Sequence, residues 1–163
     1  MFLGFSTFTW VHTILSVVAI VAGIVVVREL LASRTPGGWT TAYVATAVAT
    51  SVTGFGFPFA GFGPSHWVGV ISLVLLAGAI AAYYVFDLAG PWRWVYAATQ
   101  SLVLYFLVFV LIAQLFMKVP ALATLAPTLA ETPFALAQIV NLVLFAVLTI
   151  AAVIKFKPST GAA

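Results

Sequence analysis

Side chains able to bind a metal, move a proton or attack a carbonyl are scarce in this chain. There are two histidines, His12 and His66, three acids, Glu29, Asp87 and Glu131, and no cysteine. The missing cysteines exclude disulfides, iron–sulfur clusters and thiol nucleophiles. Two histidines on separate helices at similar depth are the minimum for bis-histidine ligation of a b-type haem, one imidazole on each face of the iron. Zinc or copper on His12, His66 and Glu131 is a weaker metal reading, because no HExxH or other short ligand spacing supports it. Ser16 or Ser65 acting with a histidine base has only Glu131 as a nearby acid, so no hydrolytic triad is legible.

His66 closes an unusual stretch, TSVTGFGFPFAGFGPSH, from Thr50 to His66. Its glycines invite comparison with phosphate-binding loops, but no strand precedes GFGFPFAG and no Lys-Ser or Lys-Thr follows it, so nucleotide binding is set aside. Gly54, Gly56, Gly61 and Gly63 allow tight turns, Pro64 suits a helix start, and Ser65 is the expected N-cap. Phe55, Phe57, Phe59 and Phe62 then form an aromatic collar at the membrane interface.

The elements that position these residues are set by composition. The chain has 163 residues, 64% hydrophobic and 6% charged, where a soluble domain has about 25% charged residues. An all-α integral membrane protein follows, a single membrane domain over residues 1–163 in contact with the lipid bilayer. Five apolar runs approach the roughly 20 residues that a spanning helix needs: 8–31, 39–57, 66–86, 92–117 and 133–154. The second carries several threonines and is the doubtful one, a candidate re-entrant segment. The N-terminus lacks the basic flank of a secretory signal, so the first run is expected to be retained. Segment 118–132, with three prolines, reads as a short helix in the outer interface that roofs whatever opens there.

Charge placement orients the bundle, since Lys and Arg collect on cytoplasmic ends. Five spans put Arg28, Arg34, Arg93, Lys155 and Lys157 on one side and Lys118 alone on the other. A five-transmembrane-helix bundle is therefore expected, N-terminus outside and C-terminus cytoplasmic, in the plasma membrane of a bacterium. Six scattered basic residues form no stripe for nucleic acid.

Polar residues in lipid must face protein or water, so their spacing shows which way each helix looks. His12, Ser16, Ala19 and Gly23 share one stripe of the first run, and Tyr43, Thr46, Thr50 and Thr53 share one of the second, although any threonine can instead bond the carbonyl one turn earlier. The fourth run places Arg93, Gln100, Leu107 and Gln114 at heptad spacing. In the fifth, Gln138 and Asn141 are expected to pair with Gln114, a threonine or water. By depth, His12, Ser16, Thr50, Thr53, His66, Gln114, Lys118, Glu131, Gln138 and Asn141 fall in the outer half and make up the candidate ligand-binding set.

These residues suit a noncatalytic binding protein, or an accessory subunit working beside other membrane subunits or a second copy of itself, with an outer-facing polar pocket around His12 and His66. The alternative is a b-haem electron carrier with His12 and His66 on the iron. Small-molecule or proton transport is a further alternative. The inner half offers only Gln100, Tyr96 and Arg93 for a complete pathway.

Overall fold

The computed structural model describes residues 6–34, 36–57 and 63–158. Phe59, Phe62 and Gly61 of the expected collar lie outside them. Every regular element among the described residues is helical: α1 (Thr7–Leu31), α2 (Gly38–Gly54), α3 (Pro64–Ile80), α4 (Trp92–Lys118), the single turn α5 (Pro120–Ala123) and α6 (Thr132–Lys155). A π-helical turn, Ala81–Val85, continues α3.

Local chemistry fixes the ends. Ser6 caps α1, its hydroxyl accepting from the Thr9 N–H at 3.1 Å. Proline stands in the first turn of α3, α5 and α6, where its missing N–H costs nothing. α2 stops at Gly54, short of the Phe57 boundary drawn from hydropathy. Hydropathy cannot sense that boundary; the glycines at 54 and 56 make it cheap for the backbone to leave the helix there.

Among the described residues four helices are long and apolar enough to cross a membrane: Thr7–Leu31, Ser65–Val85, Trp92–Lys118 and Thr132–Lys155. At 17 residues, α2 is about 25 Å long. Its contacts nonetheless follow α1 from His12 to Gly23. Thr53 at its end meets His12 near the start of α1, and Tyr43 near its start meets Gly23. Sequential helices are antiparallel throughout: Gly69 lies by Phe55, Gly78 by Thr99, and Phe116, Tyr105 and Tyr96 of α4 meet Phe134, Phe145 and Phe156 of α6 and its end. The central helix is α4, packed on α1, α3 and α6.

The buried core is lopsided. Ala19, Ala22, Val26 and Leu30 of α1, Tyr43 and Ala47 of α2, Leu76 and Ala79 of α3, and Tyr96, Ala97, Val103 and Leu104 of α4 fill the half of the bundle nearest Arg28. The key to this half is Gly23. A Cβ there would stand 2.8 Å from both Leu104 Cδ1 and Tyr43 Cε2, so only glycine lets α1, α2 and α4 close together. The Tyr43 hydroxyl donates to the Gln100 carbonyl at 2.9 Å, tying α2 to α4. Outward faces carry exposed Ile139, Val143, Val147, Ile150 and Ile154 on α6 and Ile14, Val18 and Val21 on α1, a surface suited to lipid.

Candidate functional site

In the other half the helices part around a cavity of about 540 Å³, within the range of small-molecule sites, about 300–1,000 Å³. α1 contributes His12 and Ser16, α2 contributes Thr50, α3 contributes His66, and α4 contributes Gln114 and Lys118. Six of the ten residues grouped by depth thus line one cavity. Thr53 touches it through His12.

The helix faces explain this convergence. His12, Ser16 and Ile20 are successive positions of the α1 stripe that continues to Gly23. In the second helix the aligned threonines behave differently from one another. Thr46 donates its hydroxyl proton to the Ala42 carbonyl at 2.7 Å, and Thr53 donates to the Ala49 carbonyl at 2.7 Å. Thr50 does neither: it is 8% exposed, lines the cavity, and its Oγ1 has no hydrogen-bond partner.

The two histidines are held in different states. His12 Nδ1 lies 2.9 Å from Thr53 Oγ1. That hydroxyl has one proton, already directed at the Ala49 carbonyl, so Nδ1–H is the donor and the neutral ring keeps its lone pair on Nε2. This tautomer is assigned from the hydrogen-bond pattern. With Nδ1 bonded to α2 and Cε1 3.8 Å from where a Gly54 Cβ would stand, Nε2 is the ring nitrogen left to accept from a molecule in the cavity that His12 lines. Phe57 meets the same ring edge to face at 5.0 Å between centroids.

His66 is a capping residue. α3 begins at Pro64, not after a Ser65 N-cap, and His66 is its third residue, whose Nδ1 accepts the Gly63 N–H at 3.1 Å. A side chain at this position reaching back to the N-cap N–H is the geometry that Glu or Gln supplies in a capping box. Accepting through Nδ1 leaves the neutral ring protonated on Nε2. Phe55 folds back over the same helix, its ring atoms 3.2 Å from where a Gly69 Cβ would stand and its centroid 5.8 Å from that of His66.

The walls are more apolar than the sequence suggested. Val17, Ile20, Phe55, Phe57, Val68, Phe106, Leu107, Val110, Leu111 and Leu115 surround the polar groups. By type alone these cannot be told from lipid-facing residues. Ser72 was also missed, although Ser65, Gly69 and Ser72 recur at i, i+4 and i+7, a small-residue stripe that marks a helix face.

Glu131, Gln138 and Asn141 do not line the cavity. The Glu131 carboxylate accepts from the Thr128 N–H, from the Thr128 hydroxyl at 2.8 Å and from the Ala130 N–H at 3.1 Å, closing a turn ahead of α6. Desolvation opposes ionisation, but these hydrogen bonds outweigh it and hold the carboxyl below its ordinary range. Gln138 and Asn141 lie between α6 and α4. Gln138 Nε2 donates to the Phe109 carbonyl at 3.1 Å, and Asn141 is buried with its Nδ2 unpartnered. The expected amide pairing gives way to a backbone acceptor.

The donor set fits a bis-histidine haem poorly. Each imidazole would need an Nε2 lone pair with Nδ1–H donating outward. His12 has that arrangement; His66, accepting on Nδ1, has its opposite. Among the described residues no three of His, Cys, Asp and Glu come together as metal ligands. What the arrangement can do is hold a molecule by hydrogen bonds accepted by His12 and donated by Gln114 and Lys118 while burying its apolar part. No family model, curated protein or solved structure matches the chain.

Proposed function

We propose that the chain crosses a bacterial plasma membrane five times, N-terminus outside, and binds a small molecule in its outer-facing cavity without transforming it, serving as a binding or accessory subunit. Support for the fifth crossing comes from α2, which runs antiparallel to α1 from His12 to Gly23. Alternation of five helices also leaves five basic residues at one end and Lys118 at the other, the asymmetry of a cytoplasmic and an outer face. The observation that carries the binding reading is the cavity itself, about 540 Å³, with His12, Gln114 and Lys118 among its lining residues and apolar side chains around them. Polar groups in an apolar enclosure cost free energy unless something comes to meet them.

The test is native mass spectrometry of the protein released from mild detergent, beside a Ser72→Phe variant that fills the cavity. An adduct on the wild type that the variant loses is the expected result. Bare mass for both proteins overturns the reading. Reporters fused to the two ends test the topology, which fails if both report from one side.

A further inference from the structure

The cavity walls carry more than volume, and their chemistry narrows the ligand. Aromatic rings of Phe55, Phe57 and Phe106 line it together with both imidazoles, surfaces suited to stacking or edge contact with a flat ring. His12 offers a lone pair on Nε2 and so asks for an O–H or N–H donor. Lys118 and Gln114 on α4 supply N–H donors for an oxygen on the other side of such a ring. Among the described residues no carboxylate lines the cavity, so nothing there compensates a cationic head beside Lys118. Aliphatic side chains complete the walls, and they suit a hydrocarbon tail.

From this juxtaposition we propose that the cavity binds a hydroquinone-type amphiphile, its aromatic ring among the phenylalanines, one hydroxyl donating to His12 Nε2, and its tail against the aliphatic walls. This rests on the binding reading above and adds the ligand class. No redox step is included; the site holds the reduced form because only that form has a proton to give His12.

The experiment uses the full chain in nanodiscs, titrated with decylubiquinol, decylubiquinone and oleic acid and followed by native mass spectrometry and thermal unfolding. Saturable one-to-one binding of the quinol is expected, roughly five- to tenfold tighter than the quinone, the worth of one hydrogen bond to a buried acceptor. His12→Phe keeps a ring of similar size and should erase that preference. Ser72→Phe, which fills the cavity, should abolish binding of both ring compounds. Quinol binding unaffected by either variant lies elsewhere and overturns the proposal. Binding of oleic acid but not quinol overturns the ligand class and leaves the binding reading standing, whereas failure of all three compounds together with a bare native mass removes both.

Discussion

Two threonines one turn apart in α2 should respond to the same substitution with opposite sign. Thr50 and Thr53 share a helix, a helical face and the same loss of a hydroxyl on change to valine, so helix propensity cancels between them. Their surroundings do not cancel. Thr50 Oγ1 is buried without a partner, and replacing such a group by a methyl relieves a desolvation penalty of about 1–3 kcal/mol. Back-bonding to a carbonyl would lower that figure, but none is present at this position, unlike Thr46 and Thr53. Thr53 accepts from His12 at 2.9 Å, and its loss strands the imidazole N–H, at a cost of about 1 kcal/mol. For a chain of this length roughly 2–4 °C accompanies each kcal/mol. Ligand-free Thr50→Val should thus melt several degrees above wild type and Thr53→Val a few degrees below, measured by far-UV circular dichroism in one detergent. Equal destabilisation by both variants would refute the hydrogen-bond assignment, including the His12 tautomer derived from it.

Three further outcomes follow from the geometry. Gly23→Ala, whose Cβ would meet Leu104 and Tyr43 at 2.8 Å, should destabilise by about 1–3 kcal/mol through overpacking, while Gly78→Ala, nearest to Thr99 at 3.6 Å, should stabilise by up to about 1 kcal/mol; paired melting curves check the contrast. His66→Ala should cost roughly 0.5–2 kcal/mol as the Gly63 N–H loses its acceptor, and His66→Gln should restore most of it, as read from urea or detergent unfolding. Glu131, whose carboxyl is held below its ordinary range, contributes stability that is present above the carboxylate pKa of the unfolded chain and lost as pH falls through the lower folded value. Glu131→Gln should flatten the acid limb of a stability–pH profile in that window only.

Much of the architecture was legible because a membrane makes hydropathy decisive. Four of the five apolar runs are helices of spanning length and composition, with ends within a few residues of their sequence bounds. The inward stripe of His12, Ser16, Ala19 and Gly23 was readable because lipid tolerates few polar groups. Legibility stopped where rotamers and caps decide. Nothing in the composition of α2 tells Thr50 from Thr46 or Thr53, yet one is orphaned and two are bonded to the backbone. The role of His66 depends on Pro64 opening the helix one residue before Ser65, which turns a candidate ligand into a cap. Glu131 was grouped by depth alone; its turn with Thr128 is a short-range event that depth cannot see.

The close approach at Gly23 also has a mechanical meaning. Below it, α1, α2 and α4 are locked by interdigitated side chains; above it, α1 and α4 face each other across the cavity. Gly23 is therefore a fulcrum with His12 eleven residues along one arm, a lever of about 16 Å at 1.5 Å per residue. Swinging that arm by about 10° would carry His12 about 3 Å at the same helical rise while leaving the packed half untouched. The bundle is filled at one end and open at the other, so the width of the opening follows the angle at which α1 leaves its contact with α2 and α4, and that angle is set at a residue with no side chain.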